Sequence, residues 1–132
     1  MSLIIDSSVF INYGLYNKLY RIANAAAEYN LNVYANEALL AEVERNLGKT
    51  NIRSKLEILQ SIIFIQSFVT MVEVENTFTN SPDPKDNFLF DLALQTNSEV
   101  IVTKEKALLN FTESPIPIHD IKWFKEKFPV EL

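Results

Sequence analysis

The chain has 132 residues, a formal charge of −5 and a hydrophobic fraction of 48%, with a mean hydropathy of +0.02. That length predicts one domain, 1–132, with a single substantial core. No apolar run nears the roughly 18 residues of a membrane span, and no basic flank precedes a long apolar region, which argues against a signal peptide. With no cysteine there are no disulfides, thiolate metal sites or cysteine nucleophiles, and a cytoplasmic location fits. The net acidity argues against a basic nucleic-acid coat protein. It leaves room for an enzyme whose acids gather at metals while its cations rim them.

In chain order, Leu3-Ile4-Ile5 reads as a buried strand, residues 2–6, ending on Asp6. One helical stretch is expected from about 9 to 29, with Leu15, Leu19, Ile22 and Ala26 on one face. Residues 31–34 form a second strand, and 37–47 a helix through Leu39, Leu40, Val43 and Leu47, closed by Gly48. Another helix runs from about 51 to 66, then a short edge strand over 69–74 and a polar loop over 75–81. Pro84 sits in the first turn of a helix ending near Asn97. The strand 99–103, a short helix 105–111, a strand 116–118 and a final helix capped by Asp120 complete the chain. Strands alternating with helices predict an α/β/α three-layer sandwich on a parallel sheet of about five strands.

Three acids recur at the joints of this pattern: Asp6 after the first strand, Asp86 at a helix start and Glu105 beyond a later strand. In open α/β sheets, ligands sit outside the carboxyl ends of the strands, so acids converging there suggest a divalent-cation site. Each has a bland reading. Asp86 and Glu105 could simply serve a helix N-terminus, whereas Asp6, at the end of a buried strand, needs partners or a cation. His119 stands alone, so zinc lacks ligands, and it reads as turn structure before Asp120. Tyr13, Tyr16 and Tyr20 recur at helical spacing, as a core or partner-facing stripe or as a base-stacking one. Lys49, Arg53 and Lys55 make a basic cluster that suits either solvent or a phosphate backbone. Lys104 and Lys106 flank Glu105 and are the better candidates for such a contact, and Trp123 lies off the apolar stripe of its helix, suited to an interface. A dehalogenase-type phosphatase would need an Asp where Ser8 stands, and a receiver domain an acceptor Asp after the third strand, where only Glu73 and Glu75 occur.

The run Leu3-Ile4-Ile5-Asp6-Ser7-Ser8-Val9-Phe10-Ile11 resembles the opening of PIN domains. Asp83-Pro84-Lys85-Asp86-Asn87-Phe88-Leu89-Phe90-Asp91-Leu92-Ala93-Leu94, followed by Val100-Ile101-Val102-Thr103-Lys104-Glu105-Lys106-Ala107-Leu108-Leu109, resembles the second half of a PIN subgroup. That subgroup comprises toxin components of toxin–antitoxin pairs, the VapC-like ribonucleases, and the likeness spans nearly the whole chain. It implies a sheet in the order 3-2-1-4-5 and a metal-dependent endoribonuclease using Mg²⁺ or Mn²⁺. Site acids implied at matching positions are Asp6, Glu42, Asp86 and Glu105. Asp6, Asp86 and Glu105 would be ligands, and Glu42, which only this match selects, would hold a second ion or orient the attacking water. Ser7, Ser8 and Thr103 would supply supporting hydroxyls. Implied partners are an RNA substrate, an antitoxin protein and a second copy in a homodimer. The chain departs from the family pattern at Ser8, where Asn is usual, at Glu105, where Asp is usual, and at Ala107, where many members carry a fifth acid. Those departures keep open a non-catalytic PIN domain that binds RNA or protein.

Overall fold

Leu3, Ile4 and Ile5 are all fully buried, although successive strand residues face opposite sides of a sheet. Both faces of the strand are therefore covered, and the same holds for Val100, Ile101 and Val102. The computed structural model, which describes residues 1–130, shows why. The strands β1 (Ser2–Ile5), β2 (Asn32–Ala35), β3 (Val69–Met71), β4 (Val100–Val102) and β5 (Ile118–His119) form an all-parallel sheet in the order β3-β2-β1-β4-β5, flanked by helices. Leu3 pairs with Val33 on one side and Val100 on the other, and Ile5 with Val102. The chain winds from β1 outward through β2 and β3, then crosses back to add β4 on the opposite side. The switch point thus lies between β1 and β4, where such sheets open a crevice at their carboxyl ends. No helix of the described residues is long and apolar enough to cross a membrane.

The single helix expected over 9–29 is two helices, α1 (Ser7–Leu15) and α2 (Leu19–Glu28). The break is Asn17, whose φ of 56° is left-handed. Its N–H donates to Gly14 O (3.2 Å) and that of Lys18 to Tyr13 O (2.8 Å), the paired bonds of a Schellman ending. Asn97 terminates α5 (Asn87–Gln95) with the same pair of bonds, and Asn30, also left-handed, ends α2 with the outer one, from Leu31 N–H to Ala26 O (2.9 Å). Asparagine thus does what glycine usually does at these ends, because its short polar side chain tolerates the left-handed region. Gly48, by contrast, is the last residue of α3 (Glu37–Gly48) and has no positive φ.

The helix α4 (Lys55–Gln66) starts later than expected, at a capping box in which Ser54 and Glu57 bond each other's backbone N–H. Pro84 opens a 3₁₀ turn (Pro84–Asp86) that runs into α5. The short helix is α6 (Lys106–Leu109), and α7 (Ile121–Lys127) is capped by Asp120, which accepts from Trp123 N at 2.9 Å. His119 belongs to β5, not to a turn, and stacks on Trp123 with ring centroids 4.3 Å apart. Trp123 is half-buried, packed edge-on against Phe128, and not an exposed interface residue. The tyrosine stripe divides: Tyr13 is buried, whereas Tyr16 and Tyr20 face solvent.

The basic cluster divides as well. Arg53 turns inward, and its Nη2 donates to Gly14 O (3.0 Å), beside the Asn17 bond there, and to Leu15 O (2.9 Å) at the end of α1. It also pairs with Glu57 at 3.6 Å, its own side chain 13% exposed. Arg53 therefore ties α4 to the α1–α2 corner. Arg53→Ala should destabilise the protein by about 1.5–3 kcal/mol, the range for hydrogen bonds to a charged group. The measurement is a fall in urea midpoint at unchanged slope; an unshifted midpoint would show that water replaces the guanidinium without loss.

Candidate active site

Asp6 follows β1 directly and is 1% exposed. Its N–H still pairs with Val102 O (2.8 Å), so the residue extends the β1–β4 ladder by one rung. Its Oδ2 accepts from Ser8 Oγ and from Thr103 Oγ1, both at 2.8 Å, while Ser7 Oγ lies 3.4 Å from Oδ1. The two hydroxyls in turn accept backbone N–H groups, Ser8 Oγ from Lys104 (3.1 Å) and Thr103 Oγ1 from Glu105 (3.0 Å). One carboxylate oxygen thereby fixes the segment 103–105 against the end of β1 and leaves Oδ1 lightly engaged.

Asp86 ends the 3₁₀ turn and is 8% exposed. The turn is set by Asp83, whose Oδ1 accepts from Lys85 N (3.0 Å) and whose carbonyl accepts from Asp86 N (2.9 Å). Across the switch point Glu105, half-buried, donates a side-chain hydrogen bond to Asp86. Burial pushes the Asp86 carboxyl up to about 6, against the bond from Glu105, and the charges of Asp6, Asp83 and Glu42 add to the rise. Burial pushes Glu105 up to about 8, reinforced by Asp6, by Asp86 as charge and hydrogen-bond acceptor, and by Glu42. Two carboxyls so placed cannot both ionise cheaply, which favours a single proton between them, on Glu105, the one raised further.

Glu42, half-buried on α3, faces the same cleft of about 510 Å³ as Asp86 and Glu105. Arg45, Lys49 and Lys85 also line it. The structure thus brings Asp86 and Glu105 into contact, with Asp6 and Glu42 near enough to raise the pKa of both. Among the described residues, no group of three or more acidic or histidine side chains stands in a ready-made ligating arrangement.

Asp6, Asp86 and Glu105 occupy the N-cap positions of α1, α5 and α6, yet none of their side chains caps its helix. Asn36, Ser54, Asp83 and Asp120, at four of the five other helix starts, do cap theirs, and Lys18 at the start of α2 does not. The helix-start reading of Asp86 and Glu105 therefore fails as a hydrogen-bonding account, because their carboxyls turn to each other instead. Three helix N-termini nevertheless end here, and their partial positive charge moderates the cluster.

Several contributors were not evident beforehand. Arg45 and Lys85 join Lys49 at the cleft, whereas Lys104 and Lys106 do not line it. Asp91, 1% exposed, accepts from Thr77 N, Thr77 Oγ1 (2.7 Å) and Phe78 N (3.0 Å), holding the loop before the 3₁₀ turn onto α5. Its signal was a single acid inside the apolar run Phe88-Leu89-Phe90-Asp91-Leu92.

A family model described as PIN domain matches residues 2–107, and the chain belongs to the PIN-domain family. No curated protein matches the sequence. Three solved structures share the fold. A chain of VapBC2 from Rickettsia felis bound to a DNA fragment from their promoter aligns at a TM-score of 0.67 and 13% identity, over 91% of this chain and 98% of that one. PAE2754 from Pyrobaculum aerophilum aligns at 0.62 and 16%, over 97% and 98%. A chain of VapBC-1 from nontypeable Haemophilus influenzae aligns at 0.60 and 14%, over 91% and 98%.

The shared proton predicts an unusual pH dependence. Ordinary values are 3.8 for Asp86 and 4.5 for Glu105, so the folded state binds more protons than the unfolded one above them. Stability from these groups is fully present below those values and is lost as pH rises through about 6 and then about 8. In chelator, the melting temperature should fall across that window, and Glu105→Gln should flatten the upper part. Parallel wild-type and Glu105→Gln curves would show that no proton is shared.

Proposed function

We propose that this PIN domain is a Mg²⁺- or Mn²⁺-dependent endoribonuclease, the toxin of a toxin–antitoxin pair working in the cytoplasm. The observation that carries the reading is the convergence of Glu42, Asp86 and Glu105 on one cleft, near Asp6 at the β1–β4 switch point, where burial raises the Asp86 and Glu105 carboxyls. The donor set fits a hard cation. All four groups offer carboxylate oxygen, and among the described residues the one ion pair is Arg53–Glu57, so no Lys or Arg neutralises the cluster directly. A proton is the compensation left to the pair without a cation, and a divalent ion would replace it.

Asp6 Oδ1, Asp86 and Glu105 would hold the cation, with Ser8 and Thr103 keeping Asp6 in place. When bound, the cation lowers the pKa of water and offsets charge on the phosphate and leaving oxygen. Glu42 would orient the attacking water and take its proton on a carboxylate oxygen, or hold a second ion. Arg45, Lys49 and Lys85 would neutralise phosphates of the RNA on either side of the scissile bond. The VapBC structures among the fold relatives support an antitoxin as partner. So does a second apolar stripe on α4, where Leu56, Leu59 and Ile63 are exposed while Ile58, Ile62 and Ile65 face the core. The same stripe would serve a homodimer.

Millimolar Mn²⁺ should raise the melting temperature of the wild type, since a ligand of the folded state stabilises it, and should switch on RNA cleavage. Asp6→Asn should lose most of both effects. A wild type showing neither leaves a non-catalytic RNA- or protein-binding PIN domain as the better reading.

For the partner, light scattering should give about twice the monomer mass, or a complex with a co-expressed small neighbour that lowers RNA cleavage. Ile63→Glu should weaken that assembly, because burying a charge in an apolar contact is unfavourable. A monomer indifferent to the neighbour would remove the partner and leave the metal site standing.

A further inference from the structure

A second cavity, of about 260 Å³, lies where α1, α2 and α7 meet, and it shares no residue with the acid cleft. Tyr13, Arg21, Phe124, Lys125 and Phe128 line it, and among the described residues no acid does. Arg21 is half-buried there: its Nε is closed to solvent and has no hydrogen-bond partner among the described residues, so contact with an anion falls to the rest of the guanidinium. A guanidinium cannot shed its proton to escape that state, and an unmet buried donor of an ionised group is costly. Lys125 Nζ stands 6.0 Å from the centroid of the Tyr13 ring, a cation–π approach that brings a second positive charge to the same cavity. In a chain of net charge −5, two cations with no acid between them among the described residues form a local reversal of sign.

We propose that this cavity binds a small organic oxyanion, a carboxylate or phosphate monoester carried on a ring. Arg21 supplies charge-assisted hydrogen bonds to the oxygens, and Lys125 adds charge. Tyr13, Phe124 and Phe128 offer apolar walls to the ring. The volume lies below the roughly 300–1,000 Å³ of pockets for drug-sized ligands, which selects a single-ring ligand over a nucleotide chain. The inference is independent of the acid cleft and of any activity there.

Phenyl phosphate, benzoate and neutral phenol are titrated against the full chain by calorimetry and thermal melting at fixed ionic strength. The two anions should bind one to one and raise the melting temperature while phenol does not, and the tighter anion identifies the head group. Arg21→Gln should weaken binding about tenfold or more, the loss expected for a charge-assisted hydrogen bond, with Arg21→Lys intermediate. Lys125→Gln, at an exposed position, should also weaken it and carries the test should Arg21→Gln not fold. Mn²⁺-dependent stabilisation should persist in every variant. Failure of both anions to bind at millimolar concentration, or unchanged affinity in Arg21→Gln and Lys125→Gln, would overturn the proposal. Because Pro129 and Val130 form one wall, Glu131→Gln is titrated too. Unchanged affinity supports an external anion, and binding that emerges only in that variant overturns it in favour of the chain's own carboxylate.

Discussion

A buried carboxylate must be compensated, and the organisation of the switch point follows from how Asp6 meets that requirement. At 1% exposure it has little water to rely on, and it sits where its side chain could have capped α1. Instead its Oδ2 takes two hydroxyl hydrogens, from Ser8 and Thr103. Each hydroxyl then uses its lone pairs on a backbone N–H of the next segment. The result is a short network linking the ends of β1 and β4, with every proton directed. Glu105 stands where it does because its own N–H is part of that network. Ser8, a departure from the usual Asn, is thus a working member of the site: it satisfies Asp6 and the Lys104 amide together.

That arrangement sets local stability against function. An N-cap side chain is worth about 1 kcal/mol to its helix, and three acids at N-cap positions forgo it. Two of them are also held near enough to share a proton instead of both ionising. Local folding energetics alone favour none of this, since four other helix starts in the same chain are capped in the ordinary way. Unfavourable placement concentrated at a single sheet edge is the pattern expected where electrostatics are arranged for a ligand.

The fold was legible because it rests on apolar strands and helical stripes. Leu3-Ile4-Ile5 and Val100-Ile101-Val102 pack as their composition requires, and these two strands fix the switch point. What escaped is what depends on conformation or long-range contact. Asn17 ends α1 through a left-handed φ that nothing in the apolar periodicity announces. Arg53 resembles any surface cation until the last carbonyls of α1 are found beside it, 38 and 39 positions away in sequence. Asp6, Asp86 and Glu105 could be named from their joints, but Arg45 and Lys85 join Lys49 only when α3 and the 3₁₀ turn come together. The tyrosine spacing was real, yet one helix became two, so Tyr13 turned inward while Tyr16 and Tyr20 did not.

The break at Asn17 also has a consequence for charge. A continuous helix would carry Tyr13 and Arg21 along one axis, whereas the Schellman turn lets α2 set off in a new direction and Arg21 meets Tyr13 at a corner roofed by α7. The same turn presents Gly14 and Leu15 carbonyls to Arg53. One left-handed asparagine therefore creates two arginine environments. In one, backbone carbonyls and Glu57 meet the guanidinium; in the other, Arg21 Nε remains unmet by the described residues. The contrast lies in the partners: the neighbouring arginine has two carbonyls at Nη2 and a carboxylate beside Nη1. A positive pole is therefore maintained on this acidic chain at a place separate from its acid cleft.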